Sequence, residues 1–316
     1  MIKIDLITGP LGSGKTTFIK KYLEYLVKQN EKIGVIENDY GAINVDRMLL
    51  NDFSGGHVDV QMIVGGCGRD CHVRRFKSKL ITMSLLGYKR VIVEPSGIYD
   101  MDEFFDVLSD DDIVSRYEIG SIIAITKTGL DDNLSPEEKY VMASEVSSAG
   151  KIVLSFYNGQ NINDTLNKLN DSLKEIKARR ILETDDLFFK PFEEINDEDF
   201  KILEHSGYRQ VSYEKKYHLE DLDFKPMFFL NPEGSLDDIL NTVERLWHDE
   251  GIGKILRIKG FVNENNKWYE INSINDKTDV REINKGQSLI IIIGENIDVN
   301  KIDEYLKSDY SSLRTK

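Results

Sequence analysis

The chain has 316 residues, a length that is most naturally one nucleotide-sized domain followed by a smaller one. Its 40% hydrophobic and 30% charged residues are typical of a folded, water-soluble protein and exclude a disordered or fibrous one. A net charge of −14 argues against a general nucleic-acid binder. No apolar run approaches the roughly 18 residues of a membrane span. We therefore expect a cytoplasmic protein that binds neither nucleic acid nor membrane.

The first 180 residues alternate short β-branched runs with amphipathic segments, the pattern of a doubly wound α/β sheet. We predict strands at 3–8, 32–37, 58–64, 90–94, 120–126 and 151–156. We predict helices between them at 16–29, 73–86, 101–109, 136–148 and 164–180. The first domain is thus predicted to cover residues 1–180.

The remainder of the chain predicts a linker and a smaller α+β domain. Residues 181–205 are acidic and show no clear period, so we expect the linker there. The second domain is then expected over 206–316. Its predicted strands lie near 207–213, 256–262 and 288–293, and its predicted helices near 235–247 and 300–310.

A phosphate-binding loop follows the first predicted strand. The segment Gly9-Pro-Leu-Gly-Ser-Gly-Lys-Thr16 fits the pattern G-x-x-x-x-G-K-S/T and leads directly into a predicted helix. Glycines let several backbone N–H groups turn toward a phosphate, while Lys15 offers a charge and Thr16 a hydroxyl for Mg²⁺. The sequence therefore predicts a nucleoside triphosphate held by Gly9, Gly12, Ser13, Gly14, Lys15, Thr16 and Thr17.

Two further segments follow strands at the sheet edge where ligands bind in open α/β folds. One begins at Glu37, and the other is Glu94-Pro-Ser-Gly97. We predict that Asp39 and Glu94 complete the Mg²⁺ shell or position the attacking water, and that Gly97 senses the γ-phosphate. Together with Lys15, these three residues are the predicted catalytic set.

In order and separation, these motifs resemble those of the CobW-like GTPases, metal-handling relatives of the nickel chaperones HypB and UreG. The matching segments are 9–17, 37–46 and 94–97, and the runs 255–262 and 290–294 resemble strands of that family's C-terminal domain. The resemblance implies Mg²⁺-dependent GTP hydrolysis coupled to delivery of a metal, or of a metal-containing cofactor, to a client protein. Zn²⁺ and Co²⁺ are the metals we expect first.

The metal-binding segment departs from the family pattern. The family usually carries G-C-x-C-C between the second and fourth strands, where this chain reads Gly65-Gly-Cys67-Gly-Arg-Asp-Cys71-His72. Two thiolates and an imidazole would suit Zn²⁺ or another borderline-soft ion with a fourth position left open. The alternative is two reduced cysteines packed as small hydrophobes beside a surface histidine.

The base-binding segment departs as well. The family reads guanine with N-K-x-D after a late strand, and this chain has Ser155-Phe-Tyr-Asn158 there, without an acid. Loss of a charged acceptor should lower the preference for guanine by about 1.5–3 kcal/mol per hydrogen bond. GTP and ATP are therefore both candidate nucleotides, and Asn158 is the predicted base contact.

The leading hypothesis is a nucleoside triphosphatase, in first place a GTPase, that acts as a metallochaperone or metalloenzyme activator. No arginine finger is evident in the sequence, so we expect slow turnover that a client protein or a homodimer partner accelerates. Two alternatives stay open. One is a P-loop kinase or ATP-using ligase, and the other is a nucleotide-gated binding switch with little turnover.

Overall fold

The computed structural model describes residues 1–39, 58–64, 69–95, 101–213, 225–274, 276–283 and 288–308. The chain divides into two compact units, Met1–Leu219 and Glu220–Lys316. Across the described residues, no helix has both the length and the apolar character needed to cross a bilayer.

The first unit is a parallel sheet with helices. Its strands are β1 (Ile2–Thr8), β2 (Ile33–Asp39), β3 (Val58–Val64), β4 (Arg90–Glu94), β5 (Tyr117–Lys127), β6 (Lys151–Ser155) and β7 (Leu187–Phe188). Its helices are α1 (Lys15–Val27), α2 (Arg69–Leu85), α3 (Met101–Leu108), α4 (Asp111–Val114), α5 (Pro136–Ser147), α6 (Asn163–Glu175) and α7 (Asp197–Glu204). The strands pair in parallel in the order β3-β2-β4-β1-β5-β6-β7. The predicted doubly wound α/β fold is confirmed.

The strand sequences explain this arrangement. β4 is buried along its whole length, as expected of a strand covered on both faces. On α1, Phe18, Tyr22 and Leu23 recur at helical spacing and are fully buried in the core. Because all strands of a parallel sheet end at one edge, the loops after β1, β2, β4 and β6 meet there.

Residues 181–205 belong to the first unit in place of the linker that we expected. β7 pairs with β6, and Phe200 and Leu203 of α7 are buried in the same core cluster as α1. Most acidic residues of this segment lie on its surface or at the start of α7, where Asn196 caps the helix, whereas Glu204 at the end of α7 is buried. The helix α7 has only 8 residues, too few for its buried apolar residues to show a helical period in the sequence. The expected strand at 207–213 is a single bridge from Tyr208 to Ala149.

The helix expected over 164–180 ends earlier. α6 stops at Glu175, and Lys177 adopts a left-handed φ of 53°. Arg180, which we placed at the end of this helix, instead donates hydrogen bonds to the carbonyls of Val146, Ser147 and Ala149 at 2.7–2.9 Å. Its cation therefore fixes the carboxyl end of α5.

The second unit is an antiparallel sheet with two helices. Its strands are β8 (Lys225–Leu230), β9 (Lys254–Glu264), β10 (Lys267–Ile274), β11 (Lys277–Ile283) and β12 (Leu289–Glu295), and its helices are α8 (Leu236–His248) and α9 (Val299–Leu306). The order is β11-β10-β9-β12-β8. Ile258, Ile290 and Val243 are central to its core. The predicted α+β character is confirmed, although β8, β10 and β11 were not predicted.

Candidate functional site

The phosphate loop joins β1 to α1 in a backbone conformation that requires glycine. Gly9, Gly12 and Gly14 have φ values of 143°, 69° and 96°. A Cβ atom at Gly9 would lie 2.1 Å from the carbonyl oxygen of Ile125, so no larger residue fits there. Gly14 is the N-cap of α1, and no side chain of the described residues caps this helix. The helix start is therefore available to an anion.

Lys15 folds back over this loop. Its Nζ atom donates to the carbonyl oxygens of Gly9 (2.7 Å) and Pro10 (3.1 Å), and the residue is only 8% exposed. Both acceptors are neutral, and a cation binds an anionic oxygen more strongly than a carbonyl. A phosphate placed on the loop would therefore draw the ammonium group to itself.

The predicted magnesium residues Thr16 and Glu94 lie together. The Thr16 hydroxyl donates to Oε1 of Glu94 at 2.9 Å. Glu94 ends β4, and Glu37 is its register partner on β2, so two buried carboxyl groups stand side by side at this edge. A hydroxyl and a carboxylate are oxygen ligands of the kind Mg²⁺ prefers, and the donor set fits that ion.

Other predicted residues fall outside the described part of the chain. Asp39 ends β2, but its side chain is not described, and Gly97 lies outside the described residues. Cys67 lies outside them too, while Cys71 and His72 begin α2 with side chains that are not described. Among the side chains that are described, no three His, Cys, Asp or Glu residues converge as a metal site would require. The metal site stays a prediction from sequence.

The base-binding segment borders the phosphate loop. A Cβ atom built on Gly14 would lie 3.8 Å from the Cβ atom of Ser155, which ends β6. Phe156 follows with a left-handed φ of 55° and is 65% exposed, an unusual state for a large aromatic residue. Asn158 is also exposed, and its backbone N–H donates to the Gln160 side chain at 2.7 Å. Phe156 and Asn158 thus follow, within three residues, the strand end that borders the loop.

Sequence reasoning missed Glu145 on α5. This residue is fully buried, and its Oε1 atom accepts hydrogen bonds from the Thr8 hydroxyl (3.1 Å) and the Gly9 backbone N–H (3.3 Å). Burial raises the pKa of Glu145 to about 8, although the charge of Lys15 and the two hydrogen bonds oppose that rise. The available signal was a lone acid in the otherwise uncharged run Tyr-Val-Met-Ala-Ser-Glu-Val of a predicted helix.

Sequence reasoning also missed Phe192, which lies in the segment that we expected to be a linker. A Cβ atom built on Gly14 would lie 3.5 Å from its ring, and the ring also packs against Phe18 at 6.1 Å between centroids. The segment after β7 therefore supports the last glycine of the loop from one side.

The glycine loop, Lys15 and the paired Thr16 and Glu94 define a protein of the P-loop nucleotide-binding class. The profile of the CobW/HypB/UreG nucleotide-binding domain matches residues 3–182, more than half of the chain. The chain belongs to this family.

Two curated relatives come from Escherichia coli (strain K12). The zinc chaperone YjiA is 24% identical over 189 residues, covering 56% of this chain and 55% of YjiA. The zinc chaperone YeiR is 34% identical over 142 residues, covering 44% of this chain and 40% of YeiR. The chain thus matches about half the length of these relatives or less. The crystal structure of Zn(II)-bound YjiA GTPase from E. coli aligns over 99% of both chains with 18% identity and a TM-score of 0.37.

Proposed function

We propose that this protein is a Mg²⁺-dependent nucleoside triphosphatase, in first place a GTPase, that couples hydrolysis to delivery of a metal ion to a client protein. The observation that carries the proposal is the loop from Gly9 to Thr16, with its left-handed glycines and its Lys15 cation, beside the Thr16–Glu94 contact. Membership of the CobW/HypB/UreG family and the zinc-chaperone relatives support a metal cargo, with Zn²⁺ ahead of Co²⁺.

The phosphates would lie on the amide groups of the loop and at the start of α1. Lys15 would leave the carbonyls of Gly9 and Pro10 for the β/γ oxygens, and Ser13 and Thr17 would add hydrogen bonds. This exchange is favourable because two neutral acceptors are replaced by an anion.

Thr16, Glu94 and Asp39 would hold Mg²⁺, which when bound neutralises charge that develops on the transferred phosphoryl group. The hydrogen bond between Thr16 and Glu94 orients both oxygens toward the same space. The carboxylates at this edge can also accept a hydrogen bond from the attacking water. Gly97, three residues after Glu94, would donate its amide N–H to the γ-phosphate and so distinguish triphosphate from diphosphate.

Strand pairing supports a link between nucleotide and metal cargo. β2 lies between β3 and β4, and the end of β3 at Val64 is the register partner of Asp39. The segment that carries Cys67 therefore begins beside the end of β2. Movement of the γ-phosphate-sensing segment would be transmitted to Cys67, Cys71 and His72 across two neighbouring strand ends.

The base-binding segment supports one alternative function, that of an ATP-using kinase or ligase. Asn158 lacks the charge that selects guanine, and the exposed ring of Phe156 offers a stacking surface that any purine would fit. This segment would therefore also accept ATP, as a kinase or ligase requires. Analysis of the products separates the classes, since a hydrolase releases inorganic phosphate whereas a kinase or ligase modifies an acceptor.

The testing experiment is competition of GTP against ATP for the full chain with Mg²⁺, in the presence and absence of Zn²⁺ or Co²⁺. We expect Mg²⁺-dependent binding, a modest preference for GTP and a response of nucleotide affinity to Zn²⁺ that disappears in a Cys67→Ser/Cys71→Ser variant. A Zn²⁺ response that survives in that variant would place the metal elsewhere. Undiminished nucleotide binding by Lys15→Ala would overturn the proposal, because the phosphates would then not lie on this loop.

A further inference from the structure

Glu145 is a buried carboxyl group beneath the phosphate loop that the proposed hydrolysis does not use. Its Oε1 atom holds the first glycine of the loop through the Gly9 N–H and holds the end of β1 through the Thr8 hydroxyl. Its Oε2 atom is buried and has no hydrogen-bond partner among the described residues. One oxygen is therefore used for positioning, and the other is buried without a donor among the described residues, where a negative charge is costly.

The helix that carries Glu145 is fixed at both ends. Ser135 and Glu138 form a capping box at the start of α5, and Arg180 binds the carbonyls at its end. Glu145 is two residues before the last residue of this helix. The backbone of Glu145 is therefore held in place beneath the loop by contacts at both ends of α5.

The charge that faces Glu145 belongs to Lys15. Across the described part of the chain, the groups acting on this carboxyl are the Lys15 ammonium, the Thr8 hydroxyl and the Gly9 N–H, and burial outweighs all three. The same ammonium group is the one that a triphosphate would use. An ionised Glu145 and a triphosphate therefore compete for one cation.

We propose that Glu145 is a positioning residue of the phosphate loop, and that the loop binds a triphosphate only while the Glu145 carboxyl group is neutral, with its proton on Oε2. The proposal rests on the proposed nucleotide site. When the phosphates draw Lys15 away and add their own negative charge, ionised Glu145 loses its stabilising cation and gains repulsion. It then takes a proton from solvent, while Oε1 keeps its hydrogen bonds to Gly9 and Thr8. No covalent bond changes.

The consequence is a link between binding and pH. In the free protein the carboxyl titrates at a pKa of about 8, so it is neutral at pH 7 and ionised at pH 9. At pH 9, binding of a triphosphate should therefore take up close to one proton at this site, roughly 0.5–1. The affinity should weaken above pH 8, by at most about tenfold per pH unit.

The experiment is isothermal titration calorimetry of the full chain with a non-hydrolysable GTP analogue and Mg²⁺, in two buffers of different ionisation enthalpy at pH 7 and pH 9. The difference between buffers gives the protons taken up. The non-hydrolysable ATP analogue is the second probe. Glu145→Gln keeps an oxygen for the Gly9 and Thr8 hydrogen bonds but cannot titrate, and Glu137→Gln makes the same change on the same helix without a contact to the loop.

We expect wild type and Glu137→Gln to take up the additional proton at pH 9, and Glu145→Gln to lack it and to lose less affinity between pH 7 and pH 9. Equal uptake by all three proteins overturns the inference while leaving the nucleotide site standing. Absence of analogue binding to wild type overturns both. Should Glu145→Gln fail to fold, the infrared difference spectrum of wild type on analogue binding at pH 9 decides, because the inference requires the band of a newly protonated buried carboxyl.

Discussion

Buried charges occupy two regions of the first unit and have different surroundings there. Toward the amino ends of the strands, Arg90 of β4 forms ion pairs with both Asp5 and Glu204, and all three residues are buried. We call these three residues the amino-end network. Tyr22 donates to Asp5 at 3.0 Å and Tyr25 to Glu204 at 2.8 Å. In this network each carboxylate has a fixed cation and further donors.

At the phosphate loop, the arrangement is incomplete. Glu145 has one oxygen without a partner among the described residues, and Lys15, the cation that acts on it, also donates to the carbonyl oxygens of Gly9 and Pro10. Removal of one member of a buried ion-pair network destabilises the fold because it leaves a buried charge without its counter-charge. The carboxyl groups of the two regions are all buried and differ in their partners. Both oxygens of Asp5 and of Glu204 accept hydrogen bonds, whereas Oε2 of Glu145 has no partner among the described residues. In the amino-end network the buried atom without a partner in the described part of the chain is Nε of Arg90, on the cation itself.

The largest expected effect on stability comes from removing the cation of the amino-end network. Arg90→Met leaves Asp5 and Glu204 buried without their cation, which should lower the free energy of unfolding by about 3–5 kcal/mol. Urea denaturation followed by circular dichroism measures this change. Arg116→Met, at an exposed arginine, is the control and should be nearly neutral. A loss below about 1 kcal/mol for Arg90→Met would mean that the network contributes little to stability.

At the phosphate loop, we expect a substitution to lower triphosphate affinity much more than it lowers the free energy of unfolding. Lys15→Ala should weaken triphosphate binding by roughly 100-fold or more, because charge-assisted hydrogen bonds to the phosphates are lost. At pH 7 the unfolding free energy should fall less than in Arg90→Met, since burial already keeps Glu145 neutral and removal of Lys15 leaves no unpaired buried charge there. Fluorescent-nucleotide titration and urea denaturation of the same samples check both. Lys21→Ala, further along α1, is the control, and equal loss of stability in Lys15→Ala and Arg90→Met would contradict the comparison.

The fold was predictable where the sequence pattern is local. Each strand and helix predicted within the first 180 residues overlaps an observed one, and β3 and β4 have the predicted bounds. The phosphate loop could be predicted for the same reason, since its residues from Gly9 to Thr16 are contiguous in sequence. The proximity of Glu37 and Glu94 was partly predictable, because the carboxyl ends of the strands of a parallel sheet meet at one edge.

What could not be predicted depends on contacts between distant residues. Glu145 lies 136 residues after Gly9, and only the packing of α5 brings them together. The position of Phe192 beside Gly14 was hidden by the acidic residues around it. In the second unit, β10 and β11 were missed because few of their residues are buried, so no apolar alternation marks them.

A smaller effect is expected on the nucleotide preference of the base-binding segment. Asn158→Asp would supply the charged acceptor that the segment lacks, and it should raise the preference for GTP over ATP by on the order of tenfold. Competition titrations with both nucleotides measure the ratio. Asn161→Asp, three residues further on, adds the same charge as a control. An unchanged ratio in Asn158→Asp would place the base away from this segment.

The last prediction concerns the pH dependence of stability. Native Glu145 keeps its proton up to a pKa of about 8, whereas the ordinary value is 4.5, so between these values the native state binds more protons than the unfolded state. Its contribution to stability therefore falls as pH rises through this window, by at most about 1.4 kcal/mol per pH unit, and levels off above pH 8. The difference in unfolding free energy between wild type and Glu145→Gln should show this slope, because all other titrating groups cancel. Parallel curves from pH 6 to pH 8 would mean that Glu145 is ionised in the native state, and the incomplete charge set at the loop would then resemble the amino-end network.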